Sequence, residues 1–385
     1  MLAFQGPIQS KLPKAGTTIF SIMSQLAHAE NAINLSQGFP DFPCSEELIN
    51  LVHAYMKKGM NQYAPMQGIM PLRERISAKI KDLYGCDYHP EKEITITAGG
   101  TQALYTAISA WIRPGDEVIV FEPCYDSYIP AIEMNGGIPI CMQLEFPTFQ
   151  INHEKLRNSI SAKTKMIILN TPHNPTGSVI GMEEIALLED ITKGTDIVIL
   201  SDEVYEHIIF DGEKHLSISR FPNLAERSMI IFSFGKTFHV TGWKMGYCLA
   251  PERLMTEFRK IHQFMVFSAN TPIQYAIAEF MNDKKNYDEV HLLYQNKRDL
   301  FANLLSGSRF KILPTHGSYF QLLQYDSITD EKDTEYAIRL TKEAGVASIP
   351  ISVFYNTPVD HKLLRFCFAK TEQTLIAAAE RLCKV

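Results

Sequence analysis

The chain has 385 residues, 45% of them hydrophobic and 21% charged, enough for a large buried core and long enough for two lobes. Its net charge is -6, with no run of like charges, which argues against nucleic acid or an anionic membrane surface as a partner. The seven cysteines are scattered without a CxxC pair, so neither a metal cage nor a disulfide framework is expected, and reduced thiols in a cytoplasmic setting fit better.

The opening MLAFQGPIQSKLPKAG lacks an apolar stretch of signal-peptide length, and no apolar run is long enough to span a bilayer. The first 45 or so residues read as irregular. From about residue 90, short apolar runs alternate with longer helical patterns. EITITAG, DEVIVFEP, IPICMQL, KMIILNTP, DIVILSDEVY, SMIIFSFG and MGYCLA read as strands. TQALYTAISAWI, YDSYIPAIEMNG and MEEIALLEDITKG read as helices between them. Near-continuous apolar strands in such an alternation predict an α/β fold, a mostly parallel sheet sandwiched by helices. After about residue 285 the pattern changes to a long helix, a hairpin-type pair in FKILPTHGSYFQLLQY, a helix, the strand KLLRFCFA and a last helix. We therefore expect a large domain over 46–284 and a smaller α+β domain over 1–45 plus 285–385.

In a parallel sheet of this kind, ligands bind beyond the carboxyl ends of the strands. Gly99-Gly100-Thr101-Gln102 follows the first strand and opens a helix, where backbone N–H groups meet an anion. Tyr125 follows the second and offers a flat ring face. Asn174 sits in the turn TPHNPTG, and His173 reads as part of that turn. Asp202 ends an apolar strand, with Tyr205 three residues on. Ser233 and Lys236 end another, and Lys244 stands eight residues further, where the last strand begins. Each has an ordinary structural explanation alone: a turn glycine, a core aromatic, a cap, an ion pair. Together, at one sheet edge, they suit a phosphorylated pyridine aldehyde: a lysine to react with the aldehyde, a carboxylate for the ring nitrogen and an anion turn for the phosphate. No GxGxxG follows any strand, which sets aside a nucleotide-binding reading.

The stretches NLSQGFPDF (34–42), NQYAPMQG (61–68), AGGTQAL (98–104), NTPHNPTG (170–177), SDEVYEH (201–207), SFGKTFHVTGWKMGY (233–247) and LLRFCFAK (363–370) carry a resemblance over nearly the whole chain. The sequence resembles the pyridoxal-phosphate-dependent aminotransferases of the aspartate-aminotransferase fold. QSKLPKAGTTIF (9–20) and FSANTP (267–272) point within that group to methionine and kynurenine aminotransferases. The resemblance implies fold type I, with a seven-stranded sheet, and pyridoxal 5'-phosphate as cofactor. It implies that Lys236 is the Schiff-base lysine and proton shuttle, and Asp202 the partner of the pyridine nitrogen. Gly100, Thr101, Gln102, Ser233 and Lys244 would bind around the phosphate, Tyr125 would stack on the ring, and Asn174 and Tyr205 would bond its phenolic oxygen. Tyr63 would reach the phosphate of the other subunit, which implies a homodimer. Arg365 and Asn174 would grip the substrate carboxylate, with a backbone contact from Gly38. Ile19, Phe20, Tyr63, Phe354 and the neighbouring subunit's Phe267 are candidates for the side-chain pocket, favouring methionine and aromatic donors over acidic ones. Many relatives carry arginine where Lys244 stands; lysine keeps the charge and loses the planar fork. The implied reaction is ping-pong amino transfer to a 2-oxo acid. The same motifs also suit β-elimination of sulfur amino acids, as in cystathionine lyases.

Overall fold

The structure is a computed structural model that describes residues 6–357 and 359–385. Seven strands form the main sheet: β1 (Ile94–Thr97), β2 (Glu117–Glu122), β3 (Ile138–Gln143), β4 (Thr164–Asn170), β5 (Val198–Asp202), β6 (Ser228–Ser233) and β7 (Gly246–Leu249). Their spatial order is β1-β7-β6-β5-β4-β2-β3. Only β7 runs against its neighbours, β1 and β6; the other pairs are parallel. The strands are apolar on both faces because both faces are covered. Val118 and Val120 pack with Ala107 and Ile108 of helix Gly100–Trp111 on one side. Ile119 and Phe121 join the core on the other. The predicted α/β class and mostly parallel sheet are as observed.

A four-stranded antiparallel sheet comprises β8 (Lys311–Ile312), β9 (Phe320–Gln324), β10 (Ile349–Pro350) and β11 (Leu363–Cys367), in the order β10-β11-β9-β8. Arg365 stands mid-strand in β11, opposite Leu322 and Ile349. Residues Ile33–Asn34 pair in parallel with Val346–Ala347. No helix among the described residues is long and apolar enough to cross a membrane.

One expectation fails here. The first 45 residues are not uniformly irregular: Ile19–Ala29 is a helix, its end capped by Thr18, whose Oγ1 accepts from the Ser21 N–H at 3.3 Å. Its apolar residues Ile19, Ile22, Met23, Leu26 and Ala27 recur at helical spacing, a pattern the reading of this segment as irregular overlooked.

Candidate active site

Strand register brings distant residues to one edge. Asn170 lies opposite Asp202, while Thr97 and Ser233 both lie opposite Gly246. Beyond that edge is a cavity of about 340 Å³, closed on its far side by Phe320 and Arg365 of the antiparallel sheet and by Phe20, Gln37 and Gly38. Gly100, Thr101, Tyr125, Asn174, Asp202, Tyr205, Ser233, Lys236 and Lys244 all line it.

Gly99 takes φ +85° to turn the chain from β1 into helix Gly100–Trp111. A Cβ there would meet Lys244 Cε at 3.4 Å and Nζ at 3.5 Å, so the lysine lies against the glycine turn. Lys244 itself is left-handed, φ 55°. A twelve-residue helix N-terminus, two hydroxyls and an ammonium thus converge on one small volume, the donor set an anion requires. Gly246 makes this approach possible. A Cβ on it would sit 2.7 Å from Phe232 O, 3.1 Å from Gly99 C and 3.2 Å from Gly100 N, all backbone atoms. Gly246→Ala is therefore expected to cost about 1–3 kcal/mol of stability and to loosen anion binding at this turn, seen as a lower Tm and a higher Kd for inorganic phosphate.

Lys236 lies in a one-turn helix, Phe234–Thr237, directly after β6. Its Nζ donates to the Tyr319 hydroxyl at 2.8 Å and to the Gly38 carbonyl at 3.3 Å. Burial lowers its pKa from 10.5 to about 8; the cations Arg365 and Lys244 push the same way, against Cys367 and Asp202. A neutral amine is the nucleophile, so lowering the pKa enlarges the reactive fraction near neutrality. Reaction of Lys236 with an added aldehyde should accelerate from pH 7 and level off a little above 8. An ordinary lysine would keep accelerating towards 10.5; stopped-flow absorbance distinguishes the two.

Asp202 is buried and accepts from the Tyr128 hydroxyl at 2.6 Å and the Val204 N–H at 3.3 Å. Burial raises its pKa to about 6, against these hydrogen bonds and Lys236. It forms no ion pair among the described residues. A buried carboxyl with neutral partners suits a cationic ring nitrogen, which would return it to the charged form. Arg365 is its counterpart. The guanidinium is 1% exposed, lies 3.9 Å above the Phe320 ring and donates to Asn174 Oδ1 at 2.7 Å and the Ser36 carbonyl at 3.1 Å. Burial lowers its pKa to about 10, and Nε has no partner among the described residues. A buried cation held by neutral acceptors is poised for a carboxylate.

The remaining sequence candidates fall elsewhere. Gln102 braces the glycine turn from behind, its Oε1 accepting from Ala98 N–H at 2.9 Å, and does not line the cavity. Ile19 packs against the core, and Phe354 packs 5.9 Å from Phe20 and 5.4 Å from Arg365, behind the cavity wall. Tyr63, 82% exposed, and Phe267 form an edge-to-face pair at 5.1 Å on the surface, away from the chain's own cavity. His173 is buried and bonded to Thr176, as a turn residue should be. The sequence reading passed over Tyr319, Tyr128 and Gln37. Each contacts a site element from far along the chain, and Tyr319 and Tyr128 look locally like core aromatics.

The fold and this edge together define an aminotransferase-type enzyme with a lysine at its centre. The chain belongs to the Aminotransferase class I and II family, which it matches over residues 30–382. It is 48% identical to methionine aminotransferase of Escherichia coli (strain K12), over 97% of each chain. Human kynurenine–oxoglutarate transaminase 1 is 33% identical, over 94% of each. Among solved structures, an Escherichia coli protein with a methionine aminotransferase function superposes with TM-score 0.96 at 47% identity, covering 98% of this chain and 100% of that one. A Thermus thermophilus aspartate aminotransferase mutant superposes with TM-score 0.90 at 27% identity, covering 99% and 100%. The protein is an aminotransferase.

Proposed function

We propose that this aminotransferase works with pyridoxal 5'-phosphate and takes large neutral amino acids, methionine first and aromatic ones next, as donors to a 2-oxo acid. The observation that carries the donor class is the cavity's charge inventory. Lys236, Lys244 and Arg365 are its cations among the described residues, and each already has a task. No further cation stands ready for a side-chain carboxylate, whereas Phe20 and Tyr125 offer apolar surface. The identity to methionine aminotransferase supports the same choice.

When bound, the cofactor supplies a ring that accepts the electron pair left when the donor's α-carbon loses its proton. The chain's own groups do the rest. The Gly99–Thr101 turn, Ser233 and Lys244 hold the phosphate. Asp202, braced by Tyr128, stabilises positive charge at the ring nitrogen, and Tyr125 packs on the ring. The Asn174 amide N–H and the Tyr205 hydroxyl would donate to the ring oxygen, while Arg365 and Asn174 would fix the substrate carboxylate. Lys236 would carry the α-proton to the cofactor carbon on the other side of the amino nitrogen. Water would then supply the oxygen of the departing 2-oxo acid while the amino nitrogen stays on the cofactor, and a second oxo acid would take up that nitrogen with release of water, so the kinetics are ping-pong.

The surface pair Tyr63 and Phe267, near exposed Phe264 and Met265, supports a homodimer in which this patch meets the partner's site. Domains over 46–284 and over 1–45 plus 285–385, and residence in the cytoplasm, complete the reading. A donor panel at fixed oxo acid tests it. Methionine and phenylalanine should exceed aspartate in kcat/KM by about 100-fold, the discrimination expected when an unpaired carboxylate must be buried. Preference for aspartate, or release of pyruvate and ammonia without an oxo acid, would contradict it.

A further inference from the structure

Tyr319 has no part in the mechanism above, yet its hydroxyl meets the reacting amine. It directly precedes β9, is fully buried, and its ring packs among Tyr205 at 5.1 Å, Tyr294 at 5.7 Å and Phe320 at 4.9 Å. Its O–H donates to the Gly38 carbonyl, so its oxygen faces Lys236 as an acceptor, 2.8 Å from Nζ. The Gly38 carbonyl is the second acceptor, at 3.3 Å. A neutral amine has two N–H groups and one lone pair; an ammonium has three N–H groups. The two acceptors satisfy both N–H groups of the neutral form and leave its lone pair open. A third N–H finds no acceptor among the described residues. The station therefore favours the form able to take a proton from carbon, and burial acts in the same direction.

We propose that the Tyr319 hydroxyl and the Gly38 carbonyl form a docking station for the freed Lys236 amine, holding it neutral with its lone pair open until it takes the α-proton, with Tyr319 as the positioning residue. This rests on the reading of Lys236 as proton carrier. As the α-carbon's C–H bond breaks, an N–H bond forms on Lys236 and the electron pair stays behind. That N–H bond then breaks as the proton passes to the carbon on the other side of the amino nitrogen. Tyr319 keeps its own proton throughout. Gly38 is restricted to glycine by the same packing, since a Cβ would lie 2.8 Å from Phe320 Cζ.

The test is the first half-reaction of the Tyr319→Phe holoenzyme with L-methionine and with methionine deuterated at the α-carbon. The rate of conversion should fall roughly 10- to 100-fold, as when a hydrogen bond to a charged or reacting group is lost. The deuterium isotope effect should rise, and KM should stay within about threefold. An unchanged rate and isotope effect would overturn the proposal. So would the same changes in Tyr294→Phe, whose hydroxyl bonds His239 at 2.9 Å and not Lys236. Should the Phe variant not fold, 3-fluorotyrosine at position 319 keeps the ring and weakens the acceptor. It should give a smaller fall with the same isotope signature, and no change would overturn the proposal. A wild-type holoenzyme that does not convert methionine rejects the donor reading alone; the comparison is then read with the amino acid it does convert.

Discussion

Lys236→Ala is expected to leave a folded protein that binds pyridoxal phosphate but moves amino groups at least about 10⁴-fold more slowly. A positioned proton-transfer group contributes about 10²–10⁴-fold, and losing the covalent link to the cofactor adds to that. The fold should survive because the partners of the lost amine stay paired, with the Tyr319 hydroxyl still donating to Gly38. Removing a buried group that is costly to charge should leave the Tm unchanged or slightly raised. The visible band of the bound cofactor should shift to that of free aldehyde and not bleach with methionine. Amino transfer within tenfold of wild type would show that another group carries the proton.

Arg365→Met should act differently, raising KM for the donor far more than it lowers kcat. Truncating one partner of a buried charge pair costs about 2–5 kcal/mol, roughly 30- to 5,000-fold in kcat/KM. The carboxylate is held in ground and transition states alike, so the loss appears mainly in KM. Methionine nearly fills the space, and replacing a buried charge by an apolar chain of similar volume is often tolerated. Asn174 Oδ1 and the Ser36 carbonyl lose a donor, which limits stability by about 1–3 kcal/mol each. Arg365→Lys should fall between the two enzymes, keeping the charge and losing the two-pronged geometry. The cofactor band should be unaffected in both variants. A normal KM in Arg365→Met would place the carboxylate elsewhere.

Much of this site is legible in the sequence because the fold converts local order into spatial order. Asp202 ends its own apolar strand, and each of Gly100, Tyr125, Asn174 and Lys236 follows another by a few residues. Strands that run parallel in one sheet end at one edge, so residues at those ends must gather there. Arg365 was legible through the resemblance carried by LLRFCFAK (363–370). The rest depends on orientation or on long-range contact. Gln102 stands one residue after Thr101, and one step of helix, about 100°, turns its side chain from the cavity back to Ala98. Tyr319 acts through a carbonyl 281 residues away, and Tyr128 through a carboxylate 74 residues away. No local pattern distinguishes either from a core aromatic. Helix Ile19–Ala29 was legible in the spacing of Ile19, Ile22, Met23, Leu26 and Ala27, with Thr18 as its cap, and was overlooked among the turn-rich residues around it.

The most direct test of the whole account is the visible absorption of the purified protein, supplied with pyridoxal phosphate, before and after L-methionine with no oxo acid present. A yellow band from cofactor joined to Lys236 is expected, bleaching on methionine and returning when a 2-oxo acid is added. A protein that acquires no band even with excess cofactor would contradict the assignment of Lys236 and of the cofactor with it.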